Sequence, residues 1–151
     1  MDYSTNSIVN IILKDGYVVH VWPFLSYNFF VFRNLFAANK ETNEVNFLDL
    51  TKEAVISLFN YLDSNLYNIP NTCEGWILLL EAALRFEMID VRYRQLIDDA
   101  QFFNSEHKIR RDVDYYREVR NLAQTQDYET LIERIIHDFR LYYGESLVES
   151  N

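Results

Sequence analysis

The chain has 151 residues, of which 49% are hydrophobic and only three are glycine and two proline, so it can fill one ordinary core and has little material for long disordered tracts. Its net charge of −9 repels phosphate, which argues against nucleic acid and anionic membrane as partners. A single cysteine, Cys73, rules out an internal disulfide and fits a reducing compartment, cytoplasm or nucleus, and no uncharged run is long enough to span a bilayer.

Ser7 to Leu13 is β-branched and aliphatic, and Tyr17 to Trp22 is a second β-rich run. Between them stand Lys14-Asp15-Gly16. Asp-Gly between two such runs signals an antiparallel hairpin, because both residues tolerate positive φ. Pro23 suits the first turn of a helix, where its missing N–H costs nothing. Phe24, Leu25, Phe29, Phe32 and Phe36 then recur at near-helical spacing, and Phe30, Val31 and Leu35 widen the apolar face until the helix reads as buried on most sides. Asn39 to Asn43 is a polar loop, and Glu44 to Leu48 alternates as a half-buried strand should.

Asp49 or Thr51 can cap the next helix, whose stripe is Val55, Leu58, Phe59, Leu62 and Leu66. Tyr67 to Pro70 reads as a short extended piece. Asn71 with Glu74 three residues on resembles a capping box, opening a helix with Trp76, Leu79, Leu80, Ala83 and Phe86 on one face. Met88 to Phe103 continues as a helix through Ile89, Tyr93, Leu96, Ile97 and Ala100. The polar, basic stretch Asn104 to Arg111 marks a boundary between a module at 1–104 and an extension at 105–151. In that extension, Asp112–Ala123 and Asp127–Tyr143 show helical stripes. Gly144 to Asn151 lacks an apolar face and is expected to fray.

Reactive material is thin. His20, His107 and His137 share no metal-ligand spacing with each other or with Cys73. His20 reads as a partly buried strand residue, His137 as solvated. Glu74, Glu81 and Glu87 fall on solvent-facing helix surfaces, and Asp98-Asp99 reads as a solvated edge. Cys73 near a helix start has a route to a lowered pKa but no neighbouring base. No glycine-rich phosphate loop or nucleophile elbow is present. The expectation is a protein that is not an enzyme, takes no cofactor and acts by contact. Tyr115, Tyr116, Tyr128, Tyr142 and Tyr143 in the tail suit an interface, since tyrosine packs its ring while its hydroxyl stays satisfied.

The order hairpin, helix, strand, helix, extended piece and helix pair resembles the BTB/POZ domain family. The resemblance spans residues 7–103 and rests on Asp15-Gly16, Leu25, Phe32 with Phe36, the joint from Val45 to Glu53, the helix end from Leu58 to Leu66, and Leu79-Leu80-Glu81-Ala82-Ala83-Leu84-Arg85-Phe86-Glu87-Met88. Residues 112–143 look similar to the start of a BACK-type extension, with Ala123 as its small residue. The resemblance implies an α+β fold, a small mixed sheet of about three strands packed on a cluster of helices, followed by a C-terminal helix pair. It also implies a protein-interaction module: an adaptor or decoy for a cullin-based ubiquitin ligase. The contact residues would be Asn39, Glu41 and Val45, then Tyr61 and Tyr67 at the end of the following helix, then Tyr115 and Tyr116 in the tail. Two other readings stand beside it: a BTB homodimer that assembles without cullin, and a small all-helical viral immune modulator in which residues 7–22 would be helical.

Overall fold

The computed structural model of the chain describes residues 9–21, 27–38, 44–63, 66, 68–107, 109, 117, 120, 121 and 124–149. Strand β1 (Val9–Leu13) and strand β2 (Val18–Val21) pair antiparallel across a single 3-10 turn, Lys14–Gly16. Asp15 and Gly16 both take positive φ, 64° and 78°, the conformation that Asp-Gly tolerates where β-branched residues do not. The strands 9–13 and 18–21 remove the all-helical reading.

Helix α1 (Phe30–Ala38) leads to strand β3 (Glu44–Phe47), which returns parallel to β1 in the register Ile11↔Val45 and Leu13↔Phe47. The sheet order is therefore β2-β1-β3, a mixed three-stranded sheet with β1 in the middle. Period-two alternation sorts its faces: Val9, Ile11, Leu13, Val21, Val45 and Phe47 point into the core. The fold class is α+β, as the resemblance implied. The expected helix start at Pro23 and the residues Leu25 and 39–43 lie outside the described residues. Helix α1 is less enclosed than its apolar run implied: Phe30, Arg33 and Asn34 are exposed, so one side of the helix carries no covering element among the described residues.

Helix α2 (Lys52–Leu62) is capped by Thr51, whose Oγ1 accepts the Ala54 N–H at 3.3 Å. Helix α3 (Cys73–Phe86) is capped by Thr72 and not by the expected Asn71; Thr72 Oγ1 accepts the Gly75 N–H at 3.0 Å. A Cβ on residue 75 would stand 3.0 Å from Thr72 Oγ1 and 3.2 Å from Pro70 Cβ, so glycine gives the cap its room.

The expected continuous helix from Met88 is broken. Glu87 sits in the left-handed region at φ 58°, Phe29 and Met88 form an isolated bridge, and Ile89 N–H donates to the Asn28 carbonyl at 2.9 Å. Helix α4 (Asp90–His107) starts only after this joint. Of the expected helix at 112–123, most residues lie outside the described ones; Arg117, Arg120 and Asn121 are helical. The last helix, α5 (Tyr128–Glu149), is opened by Asp127 Oδ1, which accepts the Thr130 N–H at 3.3 Å. It runs through Gly144 to Glu149, so the expected fraying at 144 is not seen.

One continuous core joins these elements. At its centre Phe86 meets Phe29, Phe32, Phe47 and Phe59 with ring centroids 5.4, 5.3, 4.5 and 6.2 Å away. Leu131, Ile132, Ile135 and Phe139 of α5, beyond the expected boundary at 104/105, are buried in the same core, with α5 lying along α3. No helix among the described residues is long and apolar enough to cross a membrane.

Candidate interaction surface

Five of the seven expected contact residues, Asn39, Glu41, Tyr67, Tyr115 and Tyr116, lie outside the described residues. The other two are internal. Val45 is on the core-facing side of β3, 9% exposed. Tyr61 is 1% exposed, and its hydroxyl donates to Asp99 Oδ2 at 2.6 Å, tying α2 to α4. A ring at that depth holds two helices together and presents no side-chain surface to a partner. Asp99, read from sequence as a solvated edge, is the acceptor that satisfies this buried hydroxyl.

The titratable groups also change role. His20 is exposed rather than partly buried: it lies on the outer face of the sheet, with Nδ1 2.6 Å from Oδ1 of its cross-strand neighbour Asn10. His137 is exposed, as expected, and His107 stacks on Phe103 with centroids 4.1 Å apart. At Cys73, two effects compete. The start of α3 favours a thiolate, but burial penalises it more, and the thiol is pushed up to about 11. Its Sγ donates to the Phe139 carbonyl at 3.2 Å, so it works as a packed contact between α3 and α5.

Tyr93 shows the same balance. Burial raises its hydroxyl above the ordinary range, and the group accepts the Met88 N–H at 3.1 Å across the α3–α4 joint. Trp76, wholly buried at the start of α3, has no hydrogen-bond partner for its indole N–H among the described residues.

The grooves that indent the described surface include two of several hundred Å3. The larger, about 500 Å3, lies between α3, α5 and the turn after β3. Four of its charges stand in two pairs. Arg85 Nε donates to Asp49 Oδ2 at 2.8 Å, which holds the Asp49 carboxyl below the usual carboxylate range, and Arg140 pairs with Glu81. His137 and Glu133 complete the rim.

The second groove, about 390 Å3, lies between β2 and α2. Tyr17, Val19 and Val21 line it from alternate positions of one strand face; Lys52, Ile56 and Phe59 line it from one face of α2. At one end Lys52 Nζ donates to the Tyr17 hydroxyl at 2.9 Å and sits 4.3 Å from the ring centroid, while Asp63 lies at the other. Sequence reasoning passed over this surface. Each half is visible alone as a period of two or of about 3.6, but nothing in the chain says that the two periods meet.

Comparison of the chain with protein-family models and with curated proteins returns no match. What the fold and its surfaces define is a class: a small α+β domain with a three-stranded mixed sheet, a helical cluster on one face, and surface grooves that include one between β2 and α2.

Proposed function

We propose that the chain is a BTB-like protein-interaction module that serves as an adaptor or decoy for a cullin-based ubiquitin ligase. The observation that carries this reading is the order of elements. A hairpin, a helix, a third strand, a capped helix and then a helix pair follow one another as the BTB resemblance implies, and the third strand completes a mixed sheet. α5 follows the pair and lies along α3, where the resemblance places a helical extension.

In this reading the cullin-facing surface is built from the 39–45 segment and the end of α2. The part of Tyr61 is then indirect: its bond to Asp99 sets how the end of α2 stands against α4. Equilibrium sedimentation of the protein with a cullin N-terminal fragment tests the proposal. A one-to-one complex at tens of micromolar is the expected result. No mixed species with any cullin would overturn it, and a homo-oligomer indifferent to cullin would assign the fold to self-assembly.

A further inference from the structure

The outer strand of the sheet is β2, paired on one side with β1. The phase of that pairing follows from the turn. Leu13 N–H donates to the Tyr17 carbonyl at 2.6 Å, so Leu13 and Tyr17 face one another as a hydrogen-bonded pair. Bonded and non-bonded pairs alternate along an antiparallel ladder, which makes Ile11–Val19 and Val9–Val21 bonded and leaves Val18 and His20 in the other set. The N–H and C=O groups of Val18 and His20 therefore point away from β1, toward the free edge. Both residues are exposed, and among the described residues no hydrogen bond reaches those backbone groups.

This open edge forms one wall of the 390 Å3 groove, and α2 forms the other. An unpaired strand edge beside a helix is the shape that accepts an extended chain as an additional strand: the edge supplies ladder hydrogen bonds, and the helix side supplies pockets for alternate side chains. The helix here gives those pockets an order. Lys52 lies at the Tyr17 end, in the first turn of α2, where the helix dipole adds positive potential. Ile56 and then Phe59 follow along the apolar middle. Glu53, the acid of the same turn, is exposed and does not line the groove.

We propose that this groove binds an extended segment of a partner protein, added antiparallel to β2, with an Asp or Glu seated at Lys52. An antiparallel segment runs from the Val21 end to the Tyr17 end, so the acid is its C-terminal anchor. Side chains two and four positions before the acid fall over Ile56 and Phe59 and are apolar. The recognised pattern is apolar-x-apolar-x-acid. Antiparallel addition is favoured because it is the slightly stronger pairing per residue. A second copy of β2 is a poor occupant: the strand from Tyr17 to Val21 reads Tyr-Val-Val-His-Val and carries no acid for Lys52. The inference stands apart from cullin binding and is read by a different experiment.

Selection of displayed random decapeptides against the full chain tests it. Enriched peptides are expected to share the apolar-x-apolar-x-acid pattern and to slow hydrogen exchange at the Val18 and His20 amides. Lys52→Glu, at a half-buried site, is expected to weaken those peptides by about tenfold or more and to recover binding when the peptide acid is changed to lysine. Val18→Pro removes an N–H that faces away from β1 and is expected to abolish binding, with circular dichroism reporting that the sheet is kept. Failure to enrich any peptide would overturn the proposal, as would peptides that lack the acid or bind Lys52→Glu equally well. Protection of Val18 and His20 that rises with protein concentration alone would give the edge to a second copy and overturn it too.

Discussion

The two ends of α3 are fastened by different chemistry. At its C-terminal end Phe86 sits among four other phenylalanines drawn from the 27–29 turn, α1, β3 and α2. Along the rest of its length α3 meets α5 in a seam of buried aliphatic side chains with a polar rim: Cys73 to the Phe139 carbonyl, Tyr143 to Glu74, Arg140 to Glu81. Rings gathered from distant parts of the chain define the fold, because they meet only when the 27–29 turn, α1, β3 and α2 all stand around the end of α3. The seam needs two helices, and its rim sets orientation at little energetic gain, since exposed ion pairs contribute between about zero and 1 kcal/mol.

Substitutions can separate the two regions. The largest effect is expected at the ring cluster: Phe86→Ala should cost about 3–5 kcal/mol in denaturant unfolding, because the cavity is walled by four rings that cannot all move in. In the seam, Ile135→Ala should cost about 2–4 kcal/mol. Both variants should unfold in one transition with the m-value of the parent, because Ile135 shares its core with the rings. Two transitions for Ile135→Ala would make α5 a separate unit.

The seam, unlike the ring cluster, should also respond to pH and to thiol reagents. With the Cys73 thiol pushed up to about 11 from 9.0, alkylation at neutral pH should be roughly a hundredfold slower in the folded protein than in the unfolded one. The sign of the linkage is alkaline: between pH 9 and 11 the unfolded chain loses a proton that the native chain keeps, so stability falls as pH rises through that window. Cys73→Ala should flatten that slope. The smallest effect belongs to the rim charge Asp49, lowered first by its bond from Arg85. Its contribution is present above the ordinary carboxylate range and is lost as pH falls below it. Asp49→Asn should change stability at pH 7 by no more than about 0.5 kcal/mol and soften only the acid limb of the curve.

Much of the fold was legible because periodicity and turn chemistry are local. Asp15-Gly16, the alternation of Glu44 to Phe47 and the stripe of α2 each declare themselves within a few residues. The α3–α4 joint was not legible, since the positive φ falls on Glu87, where neither glycine nor proline marks it. The cap of α3 moved by one residue, as Asn71 and Thr72 are both good caps and only Thr72 faces the helix start. The length of α5 was underread because Gly144 is weak evidence of an end. Candidate contact residues were harder still. Tyr61 and Val45 have the residue types of an interface, but burial is a property of what packs on them, and Asp99 lies far along the chain from Tyr61. The β2–α2 groove was invisible for the same reason.

The strand order carries a consequence for assembly in time. The central strand, β1, comes early in the chain; its hairpin neighbour follows a short turn later, whereas β3 arrives only after α1 has been made. Closing the longer loop costs more chain entropy than closing the hairpin, so non-local pairing of this kind lags behind local pairing. During synthesis the hairpin therefore waits with two open edges, one on β2 and one on β1. Once β3 docks on β1, that inner edge is sealed, and the outer edges of the sheet are then β2, which flanks α2, and β3 at the far side.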